Sequence, residues 1–374
     1  MVDFSLKKYL DFSFFNSKDK SVVGVDIGSS AIKVVQLRKK HGVAVLETYG
    51  EIALGPYAGH EVGQAAKLSV EQIATSLTDV VRESGVTAHA AGFSIPFTSS
   101  LVTMIHLPHT DPKQLSKMIP YEARKYIPVP ISEVSLDWFV VPQNKQEFLS
   151  TEEEETKEKG KTEVLLVAIH NDVLQKYHQI VDATSIKADF LEIEIFSSIR
   201  AALDKTLAPV VIVDMGAATT KLYVIELGVP KVSYLINRGG QDITQALSRS
   251  LGISMVRAEE MKREEGLIGE GLEENARDAM LLVLDHILSE ANRVLLSYQK
   301  RYGKNVSKAV LTGGGAVLQG LLPVAKKHLE TEVELSNSFS KIETPAFLED
   351  VLTEVGPEFT VAIGLALRRL QESR

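Results

Sequence analysis

Val23-Gly24-Val25-Asp26-Ile27-Gly28-Ser29-Ser30-Ala31-Ile32-Lys33-Val34 decides how the chain is read, because Val211-Ile212-Val213-Asp214-Met215-Gly216-Ala217-Ala218-Thr219-Thr220-Lys221-Leu222 repeats it. In each copy an apolar, β-branched run is followed by a short turn and a second apolar run, the pattern of a hairpin. Aspartate, glycine and lysine recur at identical offsets. The turn presents backbone N–H groups, hydroxyls and a lysine to an anion, with an aspartate beside them that suits a hard cation. A single copy would be indistinguishable from a plain strand–glycine–strand turn. Two copies a domain's length apart are an internal duplication, and they predict two phosphate-binding hairpins facing one another across a cleft.

With 374 residues the chain exceeds what one hydrophobic core holds, so two or more domains are expected. The formal net charge of -8 leaves no basic field for nucleic acid, and no nucleic-acid partner is expected. The absence of cysteine excludes disulfides, thiolate metal sites and cysteine nucleophiles. No apolar run approaches the ~20 residues that cross a bilayer, and the first residues lack a signal-peptide pattern. A cytoplasmic protein is expected. Residues 1–20, rich in Phe, Tyr and Leu, form an N-terminal extension read as a short helix folded back on its domain or a frayed terminus; docking on a membrane surface or a partner is the other reading.

Outward from the first hairpin, Val43 to Leu54 reads as a strand and Ser69 to Ser84 as a helix capped by Ser69. Strands follow at Ala90 to Pro96 and Ser100 to Leu107. Asp111-Pro112 opens a helix toward Tyr126 that Pro120 is expected to interrupt, and Val134 to Val141 is a strand. The charged stretch Gln143 to Glu163 reads as a solvated loop, and Val164 to Ile169 as a buried strand before a helix from Asn171. Ala188 to Leu203 reads as a strand entering a helix. Beyond the second hairpin, Gly239-Gly240 ends a strand and begins a helix through Ile243 to Leu251; further helices start near Met255 and Asn275. A strand from Lys308 runs into Gly313-Gly314-Gly315, where glycines allow close approach of backbone to a ligand. Gly364 and its alanine neighbours are read as a tightly packed C-terminal helix.

Taken together, these parts resemble the actin-like ATPase superfamily. Within it, VGVDIGSSAIKVVQL, YEARKYIPVPISEVSLDW, VDMGAATTKL, INRGGQDIT, LTGGGAVLQGL and FTVAIGLALR resemble the PilM family of type IV pilus assembly. The resemblance implies an α/β, duplicated actin-like (ribonuclease H-like) fold: two lobes around a nucleotide cleft, with an inserted subdomain of the FtsA type. Its boundaries would be 21–100 for subdomain 1A (completed by 183–207), 101–182 for the insertion 1C, 208–238 for 2A (completed by 304–374) and 239–303 for 2B. Asp26, Gly28, Ser29, Ser30 and Lys33 would form the first phosphate loop, and Asp214, Gly216, Ala217, Thr219 and Lys221 the second. Asp26 and Asp214 would hold Mg2+ through water. Gly239, Gly240 and Asp242 would approach ribose and phosphates, Glu259 and Lys262 would hold the adenosine, and Gly313, Gly314 and Gly315 would cover its other side. Glu194 would orient a nucleophilic water toward the γ-phosphate.

The same resemblance implies an ATP- or ADP-binding component of the pilus inner-membrane platform that binds the N-terminal tail of PilN, with at most slow hydrolysis. Other platform proteins and self-association are further expected partners, membrane contact would be indirect and peripheral at the inner membrane, and twitching motility and competence would be the processes served. Two rivals are an FtsA-like division ATPase, which is expected to end in an amphipathic membrane helix, and a small-molecule kinase of the same fold, which needs a base and a sugar-binding face.

Overall fold

Each copy of the repeated motif opens its own five-stranded sheet, and the two sheets share one topology. In the computed structural model, which describes residues 21–108, 111–141 and 161–372, β1 (Ser21–Ile27), β2 (Ala31–Lys40) and β3 (Val43–Ala53) form an antiparallel meander. The second copy does the same with β9 (Val210–Met215), β10 (Thr220–Glu226) and β11 (Val229–Ile236). Each meander is extended by parallel strands, β4 (Ala90–Ile95) and β8 (Lys187–Ile193) in the first lobe, β12 (Lys308–Thr312) and β13 (Glu332–Leu335) in the second. The orders, β3-β2-β1-β4-β8 and β11-β10-β9-β12-β13, are the same topology twice. The hairpin turns match atom for atom: Gly28 N donates to Ala31 O at 3.0 Å and Gly216 N to Thr219 O at 2.9 Å. Asp26 lies opposite Lys33 and Asp214 opposite Lys221.

The insertion is a three-stranded antiparallel sheet, β5 (Ser100–Pro108), β7 (Lys161–His170) and β6 (Val134–Val140), in the order β5-β7-β6. Both faces of β7 are buried. Val164, Leu166 and Ala168 pack with Leu115, Ile119 and Ala123 of α2 (Pro112–Ala123), while Leu165, Val167 and Ile169 join the core of the first lobe. This is why Val164 to Ile169 is apolar without alternation. The expected interruption at Pro120 does not occur. Asp111 caps α2 by accepting from Lys113 N and Gln114 N at 2.9 and 3.0 Å. Pro120 falls near the C-terminal end, where its missing N–H forfeits a single backbone bond, and the buried Leu115–Ile119–Ala123 stripe carries the helix through it. Residues 1–20 and most of the charged 143–163 stretch lie outside the described residues.

α1 (Val70–Glu83) starts as expected. Ser69 Oγ accepts from Gln72 N at 3.3 Å while Gln72 Oε1 accepts from Ser69 N at 2.9 Å, a reciprocal capping box. Ser69→Ala is expected to cost about 1 kcal/mol, measured by chemical denaturation. α3 (Asn171–Asp182) and α4 (Glu194–Ala202) complete the helices before the second lobe. The second lobe carries α5 (Gly240–Leu251), α6 (Met255–Glu264), α7 (Glu274–Tyr302) and α8 (Leu321–Leu329), followed by the short α9 (Glu349–Val355). α7 buries Ala276, Met280, Leu284, Ile287, Leu288, Ala291, Val294 and Tyr298, one face at helical spacing. Among the described residues no helix is long and apolar enough to cross a membrane.

α10 (Thr360–Glu372) corrects the expected division of the chain. Sequence reasoning assigned 304–374 to the second lobe, but α10 packs across β1, β2 and β4 of the first sheet and against α4. Val22, Val35 and Leu37 share one cluster with Ala362, Ile363 and Ala366. The approach is so close that a Cβ on Gly24 would lie 1.9 Å from Ala362 O, and one on Gly364 would lie 2.1 Å from Ser197 O. The turn before α10 bonds to the second lobe: Gly313 N and Thr312 Oγ1 donate to Pro357 O at 2.8 and 2.9 Å. The chain has already reached the first lobe by residues 339–343, where Glu343 N donates to Ala44 O at 2.8 Å and Phe339 and Ile342 join the cluster of Val22, Val35 and Leu37, and at Pro357 it touches the second lobe's turn again.

Candidate functional site

The two hairpins line a cavity of about 300 Å³ between the lobes, closed on further sides by α6 and the Gly313–Gly315 turn. All the sequence-predicted site residues line it except Gly239 and Asp242. Those two serve the start of α5 instead. Asp242 Oδ2 accepts from Gly239 N at 2.9 Å and its Oδ1 pairs with Arg238 at 2.8 Å. Gly239 itself is pressed on the second hairpin, where a Cβ would meet Gly216 O and Ala217 O at 2.5 Å. Gly240 N and Gln241 N donate to those carbonyls at 2.9 and 3.0 Å, so α5 begins three residues before Ile243.

Burial raises the Asp26 carboxyl above its usual range, with Ser94, Lys33 and Lys221 opposing. Its Oδ1 accepts from Ser94 Oγ at 2.6 Å, and Ser94 Oγ accepts from Ile27 N at 3.2 Å, which ties the aspartate to the start of its own turn. Asp214 Oδ2 accepts from Lys221 Nζ at 3.1 Å, and Glu194 Oε2 accepts from the same ammonium at 2.8 Å. The second Glu194 oxygen accepts from Phe97 N at 2.6 Å. Both oxygens of the expected water-orienting carboxylate are thus engaged. Burial works against the Lys221 charge, but Asp214, Glu194 and Asp26 outweigh it and raise its pKa. Burial also raises the Glu194 carboxyl, against the pull of Lys221. Tyr177 and Tyr223, buried and within the field of these carboxylates, are likewise pushed up, desolvation leading in both.

Lys33 occupies the equivalent place in the first hairpin but pairs differently, with Glu51 at 3.2 Å and Glu358 at 3.8 Å. Burial raises the Glu358 carboxyl, Lys33 lowers it and Glu51 raises it further. On the opposite wall Glu259 accepts from Thr244 Oγ1, Lys262 Nζ and Arg263 Nε at 2.5, 2.6 and 2.8 Å. Burial pushes its carboxyl up, and the two cations and the hydroxyl more than reverse this. Lys262, lowered by burial, also donates to Gly240 O at 3.3 Å.

Sequence reasoning missed Glu51, Gly63, Arg263 and Glu358, all of which line the cavity. Gly63 had a legible signal, a glycine-rich loop between strand and helix. It sits at φ +86° with Glu259 Cδ 2.4 Å from where its Cβ would be, and the neighbouring Ala65 N donates to Gln241 Oε1 at 3.2 Å. This loop of the first lobe therefore touches the second lobe at the mouth of the cleft. Of the three glycines, Gly313 and Gly315 are demanded by the hairpin beneath them. A Cβ on Gly313, at φ +84°, would lie 2.5 Å from Asp214 Oδ1, and one on Gly315 2.9 Å from Met215 O. Gly314 is the one open to the cavity, with Glu358 Oε2 at 3.7 Å from its Cβ position.

Direct ligation of magnesium by these carboxylates would compete with bonds they already make. Asp26 and Asp214 each have an oxygen committed, to Ser94 and Lys221. Among the described residues no group of three or more histidine, aspartate or glutamate side chains is placed to hold a metal ion.

Against known proteins, the family described as type IV pilus assembly protein PilM matches residues 24–370. The chain belongs to the PilM family. The match takes in both hairpin turns, the insertion and most of α10, nearly all of the described chain. Among solved structures, a PilM–PilN type IV pilus biogenesis complex superposes with a TM-score of 0.78 at 24% identity, covering 93% of this chain and 98% of that one. The ethanolamine utilization protein EutJ from Carboxydothermus hydrogenoformans gives 0.53 at 15% identity over 95% and 91% of the two chains. MreB 5 of Spiroplasma citri bound to AMPPNP gives 0.50 at 12% identity over 94% and 96%. These likenesses establish the actin-like fold. The cell division protein FtsA of Neisseria meningitidis serogroup B (strain ATCC BAA-335 / MC58) is 27% identical over 215 residues, 50% of this chain and 52% of FtsA, so the chain spans about half the length of that curated relative.

Proposed function

We propose that this PilM-family protein binds ATP or ADP in the cleft and, through its insertion, the N-terminal tail of a PilN-like partner at the inner-membrane platform of the type IV pilus. The observation that carries the nucleotide reading is the pair of superposable hairpin turns facing one cavity, each with a lysine at the same register. Backbone N–H groups and ammonium groups on both sides suit a polyphosphate. The Glu259–Lys262 wall and the open Gly314 are placed to take the nucleoside.

The tail reading rests on the family and on the insertion's exposed aromatics. Tyr121 is 69% exposed and Tyr126 41%, beside Arg124, whose guanidinium lies 5.3 Å from the Tyr121 ring centre. An extended peptide anchors on such apolar positions and takes register from them. The cleft reaches the insertion through short links. Glu194 holds Phe97 N just before β5, the Phe97 ring packs edge-on to Tyr223 of β10 at 5.4 Å, and Ser233 Oγ of β11 donates to Val102 O of β5 at 3.2 Å. A ligand that shifts Lys221 or Glu194 therefore acts on the root of the insertion, the physical content of coupling between the two sites. Turnover is expected to be slow, on the order of 10⁻³ s⁻¹ or less, as in nucleotide sites without transition-state aid.

The test is tail-peptide affinity with ATP, with ADP and without nucleotide, together with chromatography of any nucleotide released from the purified protein. Different peptide affinities among the three states support the coupling. Equal affinities sink it, and sugar-dependent turnover would favour a kinase instead.

A further inference from the structure

The two hairpins are alike in backbone and unlike in what their lysines hold. Across β2 and β3 the register sets Glu51 opposite Lys33, and the Lys33 ammonium turns to that carboxylate. Across β10 and β11 the equivalent position is Leu235, which offers Lys221 nothing. Lys221 turns inward instead and sits between Asp214 and Glu194, 3.1 and 2.8 Å from their oxygens, with 13% of its side chain exposed. Asp26, across the cleft, lies within its field.

We propose that the Lys221 ammonium supplies the positive charge that a divalent cation would otherwise bring to this point, so that the cleft holds a nucleoside polyphosphate without magnesium. The inference rests on the nucleotide reading given above. Magnesium requires near-octahedral oxygen ligation at roughly 2.0–2.1 Å and usually retains several waters beside one or two carboxylates. One oxygen of each of Asp26, Asp214 and Glu194 is already taken, by Ser94 in the first case and by Lys221 in the other two. An ammonium carries three N–H donors; two are spent on Asp214 and Glu194, and the third is left for a phosphate oxygen. The charge is fixed by covalent attachment and needs no ion from solution.

The experiment is calorimetric titration of ATP and of ADP into the full chain, once in excess magnesium and once in excess EDTA, with manganese titrated separately and followed by its paramagnetic resonance signal. Affinities within about threefold of each other in the two buffers are expected, a difference well under the 1.4 kcal/mol of a tenfold change. No tight manganese site is expected on the nucleotide-free protein. In Lys221→Met, ATP affinity is expected to fall at least about tenfold on removing magnesium, and a manganese site to appear. Lys221→Met/Glu194→Gln, which removes one of the carboxylates left bare, gives the same readout where the single variant folds poorly. A loss of tenfold or more in the unsubstituted protein on adding EDTA overturns the inference while leaving the nucleotide reading intact. Absence of binding in either buffer overturns the nucleotide reading itself, and this inference with it.

Discussion

Glu192→Ala is expected to destabilise the protein by roughly 3–5 kcal/mol, the cost of leaving buried guanidinium groups without their counter-ion. Glu192 closes β8 against two helices. Arg200 of α4 grips it with both terminal nitrogens at 3.0 and 2.7 Å, and Arg368 of α10 approaches to 3.4 Å. The side chains of Glu192 and Arg368 are 3% and 4% exposed, so water replaces nothing when the carboxylate is removed. Arg200 also donates to Gly364 O at 3.0 Å, and the Arg368 guanidinium lies 4.3 Å from the Phe190 ring centre. Three elements would loosen together.

The same group sets an acid limit. Burial works to raise the Glu192 carboxyl, but Arg200 and Arg368 outweigh it and hold it below the usual glutamate range. Its folded pKa is depressed, so its contribution is full above the ordinary value of about 4.3 and is lost as pH falls through the lower folded value. Denaturant midpoints of the unsubstituted protein are therefore expected to drop on that descent, and those of Glu192→Ala to drop less. Superimposable midpoints at neutral pH would show that the cluster contributes nothing.

Gly313→Val is expected to weaken nucleotide binding about 10- to 100-fold, the equivalent of ~1.4–3 kcal/mol. A β-branched side chain at φ +84° is strained on backbone grounds alone. Its Cβ would also collide with Asp214 Oδ1 and Met215 O, both within 2.6 Å, and push on the second hairpin turn. Thermal stability should fall with affinity. Gly314→Val makes the contrast, since its Cβ position has no neighbour nearer than Glu358 Oε2 at 3.7 Å. That variant should keep its melting temperature and lose affinity by standing where the ligand lies. If both bind nucleotide normally, the ligand does not pass over this turn.

What could be read from the chain was mostly what a few neighbouring residues decide for themselves. The hairpins at Asp26 and Asp214 were legible because turn and register are local, and repetition separated them from chance. The Ser69 cap and the doubly buried run of β7 were legible for the same reason. Partnerships across long sequence separations were not. Nothing near Lys33 says that it pairs with Glu358 rather than with Asp26, because that depends on how residues 339–360 fold back over the first lobe. Lys221 and Glu194 were each singled out for phosphate and water, but their bond to one another appears only once β8 and β10 are brought together. Pro120 misled because propensity was weighed without the buried stripe it lies beside. α10 was expected to be tightly packed, yet its apolar pattern carries no address for the sheet it covers.

That address has a consequence for how the protein is made. β1 and β2 emerge early in synthesis, but the face they share with Ala362, Ile363 and Ala366 stays bare until residues 360–372 have been translated. The first lobe therefore cannot mature as a unit ahead of the second, as consecutive domains ordinarily do. A ribosome-bound intermediate lacking these residues should expose an apolar sheet face to chaperones, and limited proteolysis of stalled chains should find the first lobe labile until that helix is supplied.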